Sequence, residues 1–121
     1  MTQQALDIYT YQLSVGLSPL RHHKKRHKFI DTPNDTCRCG TGIETTDHFL
    51  VDCPLFNVQR DRLMSVVNPI VSKLHCLNSA TNSVRTNWLL YGDDKLNSAE
   101  NSTILKATIR FICDSERFAQ I

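Results

Sequence analysis

Apolar positions along this chain recur mostly at helical intervals. Ala5, Ile8, Tyr9, Gln12 or Leu13, and Val15 sit at roughly helical spacing, which predicts a lead-in helix over residues 4–16. Ser18-Pro19 then offers a cap and a proline suited to the first helical position, so a further helix is expected to run into residues 20–28. Asp31-Thr-Pro-Asn-Asp35 is turn chemistry, and residues 32–36 read as loop. Farther along, Phe56, Leu63, Val67, Ile70 and Leu74 trace an apolar stripe that is interrupted at Asn68-Pro69. Because proline breaks a helix ladder, the interruption predicts two helices, with Asn68 capping the second. Residues 78–82 and 92–98 read as loops around a short apolar segment, 84–91, that carries the only tryptophan, Trp88. Asn97 followed three residues later by Glu100 marks a helix start. Ile104, Leu105, Thr108, Ile109, Ile112 and Cys113 give that helix its face, through to about Phe118. No stretch alternates long enough to predict a sheet. The expected class is mostly α.

Composition narrows the picture little. At 121 residues the chain suits one domain, and 40% hydrophobic with 21% charged residues is ordinary for a globular protein. A net charge of +2, from 14 basic against 12 acidic residues, points to no particular partner by itself. No apolar run approaches the roughly 18 residues that span a bilayer. The opening Met1-Thr-Gln-Gln-Ala5 lacks the layout of a secretory signal. Five cysteines could suggest a disulfide scaffold, but the number is odd and three of them cluster. An intracellular, reduced protein with a metal site is the expectation.

The cluster is Cys37-x-Cys39-x8-His48-x4-Cys53. Zinc favours four soft or borderline ligands in a tetrahedron, and three thiolates with one imidazole form a standard structural set. Cys37 and Cys39 would grip the ion from a bend that Gly40 relieves. His48 would project from a short helix capped by Thr45 or Thr46, with Asp47 in its first turn, and Cys53-Pro54 would end that helix and open the next. Four protein ligands leave no open coordination position, so the metal is expected to be a single structural Zn2+. Such sites contribute about 10–16 kcal/mol of apparent binding free energy in small fingers, more than a typical domain's stability. Residues 30–55 hold few large apolar side chains, so the metal is expected to decide whether they order. Burial as ordinary thiols is the plainer reading, yet Cys37 and Cys39 lie in a polar, glycine-containing loop that does not favour it. Cys76 and Cys113 sit in apolar stripes and read as core.

Cys37-Arg-Cys-Gly40, Glu44-Thr45, His48 and Cys53-Pro-Leu-Phe-x3-Arg60 together resemble the zinc-binding segment C-terminal to reverse transcriptase domains in non-LTR retrotransposons. That pattern runs Cys-x-Cys-Gly, a short spacer, Glu-Thr-x-x-His, four residues, then Cys-Pro. Ser14-Val-Gly-Leu-Ser-Pro-Leu20 is similar to the family's lead-in, and Leu89-Leu-Tyr-Gly-Asp93 with Ser115-Glu-Arg-Phe118 resembles endings of such open reading frames. The resemblance implies a zinc-knuckle-like Cys3His loop with Cys37, Cys39, His48 and Cys53 as ligands. It also implies a module that serves an associated reverse transcriptase. Residues 1–29 would be a helical lead-in with a basic segment, 30–62 the zinc module and 63–121 a helical remainder.

The basic segment is Arg21, Lys24, Lys25, Arg26 and Lys28, interleaved with His22, His23 and His27. Crowded like charges cost helix stability, and a polyanion relieves that repulsion while releasing counterions. No base-reading pattern is visible, so sequence-independent contact with RNA or DNA backbone is expected. A solvated face or a nuclear-import patch is the competing account of the same run. Tyr91-Gly-Asp-Asp94 mimics the metal-binding hairpin of a polymerase palm, but the polar residues that follow supply no second strand, so it reads as a turn. Neither a nucleophile–base pair nor an open metal site appears, and no enzymatic activity is expected. The rival functional classes are a protein-interaction module docking through residues 97–118 and a non-functional fragment of a retrotransposon polyprotein.

Overall fold

A computed structural model describes residues 20–21, 35–74 and 80–117. The lead-in helix expected over 4–16, the Ser18-Pro19 cap, Lys24, Lys25, Arg26, Lys28, Phe29, Cys76 and Phe118 lie outside the described residues. Within them the protein is mostly helical, with no strand beyond an isolated antiparallel bridge between Thr36 and Ile43. A π-helical turn, His48–Asp52, and a 3-10 turn, Pro54–Phe56, lead directly into α1, Asn57–Val71. Then come α2, Asn82–Tyr91, and α3, Ser98–Ser115. The last helix packs along α1 and against α2, while the π turn rests on α2.

Helix α1 buries Arg60, Leu63, Val67 and Val71, one face at three-to-four spacing. Pro69 does not divide it in two, as the Asn68-Pro69 signal predicts; the helix runs through the proline and stops two residues later. Asn68 acts through its carbonyl, accepting from the Ser72 N–H at 2.9 Å, and opens no new helix. Val67, Val71 and Leu74 stay in phase on the core only if the helix continues. Proline in the final turn forfeits one ladder bond, a smaller loss than exposing those side chains.

Helix α2 starts at Thr81, whose hydroxyl accepts from the Val84 N–H at 3.2 Å. It ends at Gly92, with φ 71° and ψ −155°, a backbone region that essentially only glycine occupies. Asn101 then fixes the following turn, accepting from the Asp93 N–H at 3.0 Å and donating to the Asp93 carbonyl at 3.0 Å. Tyr91 to Asp94 is accordingly a helix ending and a turn.

Helix α3 opens with the expected capping box. The Glu100 N–H donates to Asn97 Oδ1 at 2.8 Å, and the Asn97 N–H donates to Glu100 Oε1 at 3.0 Å. Its buried face is Ile104, Thr108, Ile109, Phe111 and Ile112. Leu105, placed on that face by the sequence pattern, is 38% exposed, and Phe111 is buried in its stead. Thr108 Oγ1 donates to the Leu89 carbonyl at 2.9 Å, joining α3 to α2 inside the core. The helix ends at Ser115, short of Phe118, because Glu116 takes a left-handed conformation.

Phe49, Phe56 and Phe111 meet in one aromatic cluster, with ring centroids 5.3 Å apart for Phe49–Phe56 and Phe49–Phe111 and 6.3 Å for Phe56–Phe111. The cluster joins both short turns to α3. Cys37, Phe49, Leu50 and Cys53 belong to the same core as the three helices. Residues 48–53 are therefore held by apolar packing as well as by any metal, contrary to the expectation that too few apolar groups lie there. Replacing Phe111 by Ala should cost about 3–5 kcal/mol in urea unfolding, whereas Leu105→Ala should stay within about 0.5 kcal/mol. Equal losses would mean that α3 presents the face drawn from the sequence.

Candidate metal centre

The site is assembled from two backbone bends. In the first, the Thr36–Ile43 bridge closes a tight loop in which the Cys37 N–H donates to the Gly42 carbonyl at 2.8 Å and the Gly40 N–H to the Cys37 carbonyl at 2.9 Å. Gly40 adopts φ 78°, the left-handed region that glycine enters without steric cost. The bend turns Cys37 and Cys39 toward a common point. Thr41 closes on Cys39 Sγ from its N–H, at 3.4 Å, and its hydroxyl, at 2.9 Å.

The second bend is the π turn. Thr45 caps it, its hydroxyl accepting from the His48 N–H at 3.1 Å and its carbonyl from the Phe49 N–H at 3.0 Å. The turn closes with the Cys53 N–H on the His48 carbonyl at 2.7 Å, five residues apart. At the usual 3.6 residues per turn, positions five apart point about 140° away from each other. The wider turn brings Cys53 back beneath His48. The four-residue spacer between them is thus long for an α-helix and right for a π turn.

Cys37 Sγ and Cys53 Sγ lie 3.7 Å apart, and Cys39 Sγ lies 3.2 Å from His48 Nε2. No two of the four donor atoms are more than 4.8 Å apart. A tetrahedron with metal–sulfur bonds of about 2.3 Å and metal–nitrogen bonds of about 2.0–2.1 Å has sulfurs about 3.8 Å apart and a sulfur–nitrogen edge of about 3.6 Å. The cluster fits such an ion after adjustments of an ångström or less. Cys37, Cys53 and His48 are buried and Cys39 is half-buried. Behind the imidazole, His48 Nδ1 faces Asp52 Oδ2 at 3.5 Å, the outer-shell arrangement that orients metal-bound histidines.

The donors are electrostatically unequal. Burial pushes the Cys53 thiol up to about 12 and raises Cys37 as well. Hydrogen bonds from Thr41, assisted by His48 and Cys37, bring Cys39 down to about 6 against the effect of burial. Three clustered sulfurs become thiolates together only when a cation offsets their repulsion. The donor set and the spacing both suit a metal ion.

Two charged residues fix these bends to the fold. Arg60 donates from Nε to the Leu50 carbonyl at 3.0 Å, from Nη2 to the Phe49 carbonyl at 2.9 Å and from Nη1 to the Cys53 carbonyl at 2.7 Å. Nη1 also reaches Asn57 Oδ1 at 3.1 Å. Glu44 receives Arg117 in a two-pronged contact, Nε to Oε2 at 2.9 Å and Nη2 to Oε1 at 2.6 Å, together with the Arg21 N–H at 2.7 Å. Neither role emerges from sequence reasoning. For Arg60 a signal exists: a cation in phase with Phe56, Leu63 and Val67 on the apolar face. For the Glu44–Arg117 pair no local signal exists.

The expected metal ligands Cys37, Cys39, His48 and Cys53 are thus brought together. Of the expected nucleic-acid contacts only Arg21 is described. It is half-buried, and its Nη1 donates to the Thr36 carbonyl at 3.0 Å. Among the described residues no helix is long and apolar enough to cross a membrane.

Burial raises the Glu44 pKa, but hydrogen bonds from Arg117 and Arg21 outweigh it and hold the carboxyl below its ordinary 4.5. A depressed folded-state value stabilises the protein above the ordinary value and ceases to do so as pH falls through the folded one. Glu44→Gln should cost about 1.5–3 kcal/mol at neutral pH. The gap to wild type should narrow in unfolding titrations below about pH 4.5. A gap independent of pH would show that the carboxylate charge contributes nothing. Comparison with known family models, with curated proteins and with solved structures returns no match to this chain.

Proposed function

We propose that this chain is a non-catalytic structural zinc module that holds RNA or DNA through its basic segment. Its role resembles that of the zinc-binding region downstream of reverse transcriptase domains in non-LTR retrotransposons, where it would steady template for an associated enzyme. The observation that carries the reading is the convergence of Cys37, Cys39, His48 and Cys53, with all donor atoms within 4.8 Å. Three sulfurs and an imidazole favour zinc over harder cations, and four protein donors leave no position for a reacting water. The pieces of the resembling pattern also acquire physical roles: Gly40 for the bend, Glu44 for the Arg117 clasp, Thr45 for the cap and Arg60 for the carbonyls beyond His48.

The basic segment begins at the metal module itself. Leu20 is fully buried and the Arg21 N–H is bound to Glu44, so the run departs from a fixed point beside the metal loop. Arg21 spends its guanidinium on Thr36. Nucleic-acid contact is therefore assigned mainly to Lys24, Lys25, Arg26 and Lys28. A nuclear location accords with this reading. Against the rival interaction module, α3 buries its apolar face on α1 and α2.

Purified protein should contain one equivalent of zinc. Chelation should disorder residues 35–44 first, with the three helices retained in circular dichroism. Affinity for single-stranded RNA should fall steeply with salt, and replacing Lys24, Lys25 and Arg26 together by Ala should reduce the log–log slope by up to about 2. Full affinity in the triple variant would shift attention to the exposed apolar residues Leu55, Val58 and Val66 as a protein-binding surface.

A further inference from the structure

Arg60 is only 7% exposed, yet each of its four hydrogen bonds ends on a neutral acceptor: three main-chain carbonyls and the Asn57 amide oxygen. Among the described residues no carboxylate pairs with it. Its one further contact is the Phe111 ring, 5.7 Å from the guanidinium carbon. A guanidinium cannot shed its proton, so a buried one is costly unless an opposite charge lies near. Carbonyl dipoles and an aromatic face relieve part of that cost without supplying an opposite charge in contact with it. Burial pulls its pKa below the usual guanidinium value, against the opposing effect of Cys53, Asp52 and Asp61. The Nη1 contact to the Cys53 carbonyl, at 2.7 Å, places the guanidinium one residue's width from a metal donor.

A divalent ion held by three thiolates and a neutral imidazole carries a net charge of −1. We propose that Arg60 is the buried countercharge of this metal centre, so that the ion and the guanidinium stabilise each other across the fold. The inference rests on the zinc reading above and adds a residue that touches no metal yet tunes its affinity. By reciprocity, any gain that Arg60 gives the bound ion is returned as stability of the buried arginine.

The test is a zinc titration of the full chain against a chromophoric chelator, for wild type and Arg60→Met, each repeated in a Cys39→His background. That background keeps four ligands and makes the centre neutral. In the native ligand set Arg60→Met should weaken zinc binding roughly 10- to 100-fold, as outer-shell changes do. In the neutral background its effect should be clearly smaller, leaving only what loss of the carbonyl clamp costs. The same weakening in both backgrounds overturns the proposal and leaves Arg60 as a carbonyl clamp alone. If Arg60→Met does not fold, Arg60→Lys and Arg60→Gln decide, because lysine keeps the charge without the fork. Affinity kept by lysine and lost by glutamine supports the countercharge; equal loss in both overturns it. A wild-type protein that takes up no zinc removes the site itself, and the inference with it.

Discussion

A guanidinium, buried where the two short turns meet α1, ties the candidate metal centre to the helices. The π turn ends with the Phe49 and Leu50 carbonyls, which no further helical N–H satisfies, whereas the Cys53 carbonyl already accepts the Phe56 N–H at 3.3 Å. Leaving such groups buried and unpaired costs about 1–3 kcal/mol each. Arg60 reaches back from the first turn of α1 to pair the Phe49 and Leu50 carbonyls, and adds a second donor to the Cys53 carbonyl. Asn57 holds the same group from its own helix. The Cys53 carbonyl is thus held from a residue seven positions later. The position of α1 relative to His48 is set by the same contact.

The metal loop is secured differently on its two sides. Residues 48–53 have Phe49 and Leu50 in the core and would keep much of their shape through packing. Residues 35–44 place Cys37 in the core and otherwise depend on the Thr36–Ile43 bridge and on Glu44. Whatever binding energy a metal ion supplied there would therefore fall on the segment with least packing of its own. Glu44 works from the opposite edge, gathering the Arg21 N–H and the Arg117 side chain on one buried carboxylate.

Much of this arrangement is legible in the residues, and the divide follows sequence distance. The ligand set is local: spacings of two, nine and five residues carry it, and Gly40 and Thr45 mark its bends. The Asn97–Glu100 capping box and the Gly92 turn are equally local and equally readable. Asn68-Pro69 misleads because a proline signal is read in isolation, while the apolar phase from Leu63 to Leu74 continues through it. Leu105 and Phe111 exchange places because both lie near a helix face whose centre only the partner helices define. The π geometry leaves no mark on periodicity, since five residues are too few to reveal a period. Glu44 and Arg117 stand 73 positions apart, and nothing in either neighbourhood announces the other.

That last separation bears on how the chain reaches its final shape. Joining groups so far apart costs chain entropy that grows with the logarithm of the intervening length, about 4 kcal/mol for an unstructured connection. Prior docking of α3 on α1 removes most of that search, so the carboxylate can be clasped only late. A nascent chain emerging from a ribosome presents the three sulfurs and the imidazole of the candidate metal centre early. It would nevertheless carry an exposed glutamate on that loop until residue 117 had been synthesised.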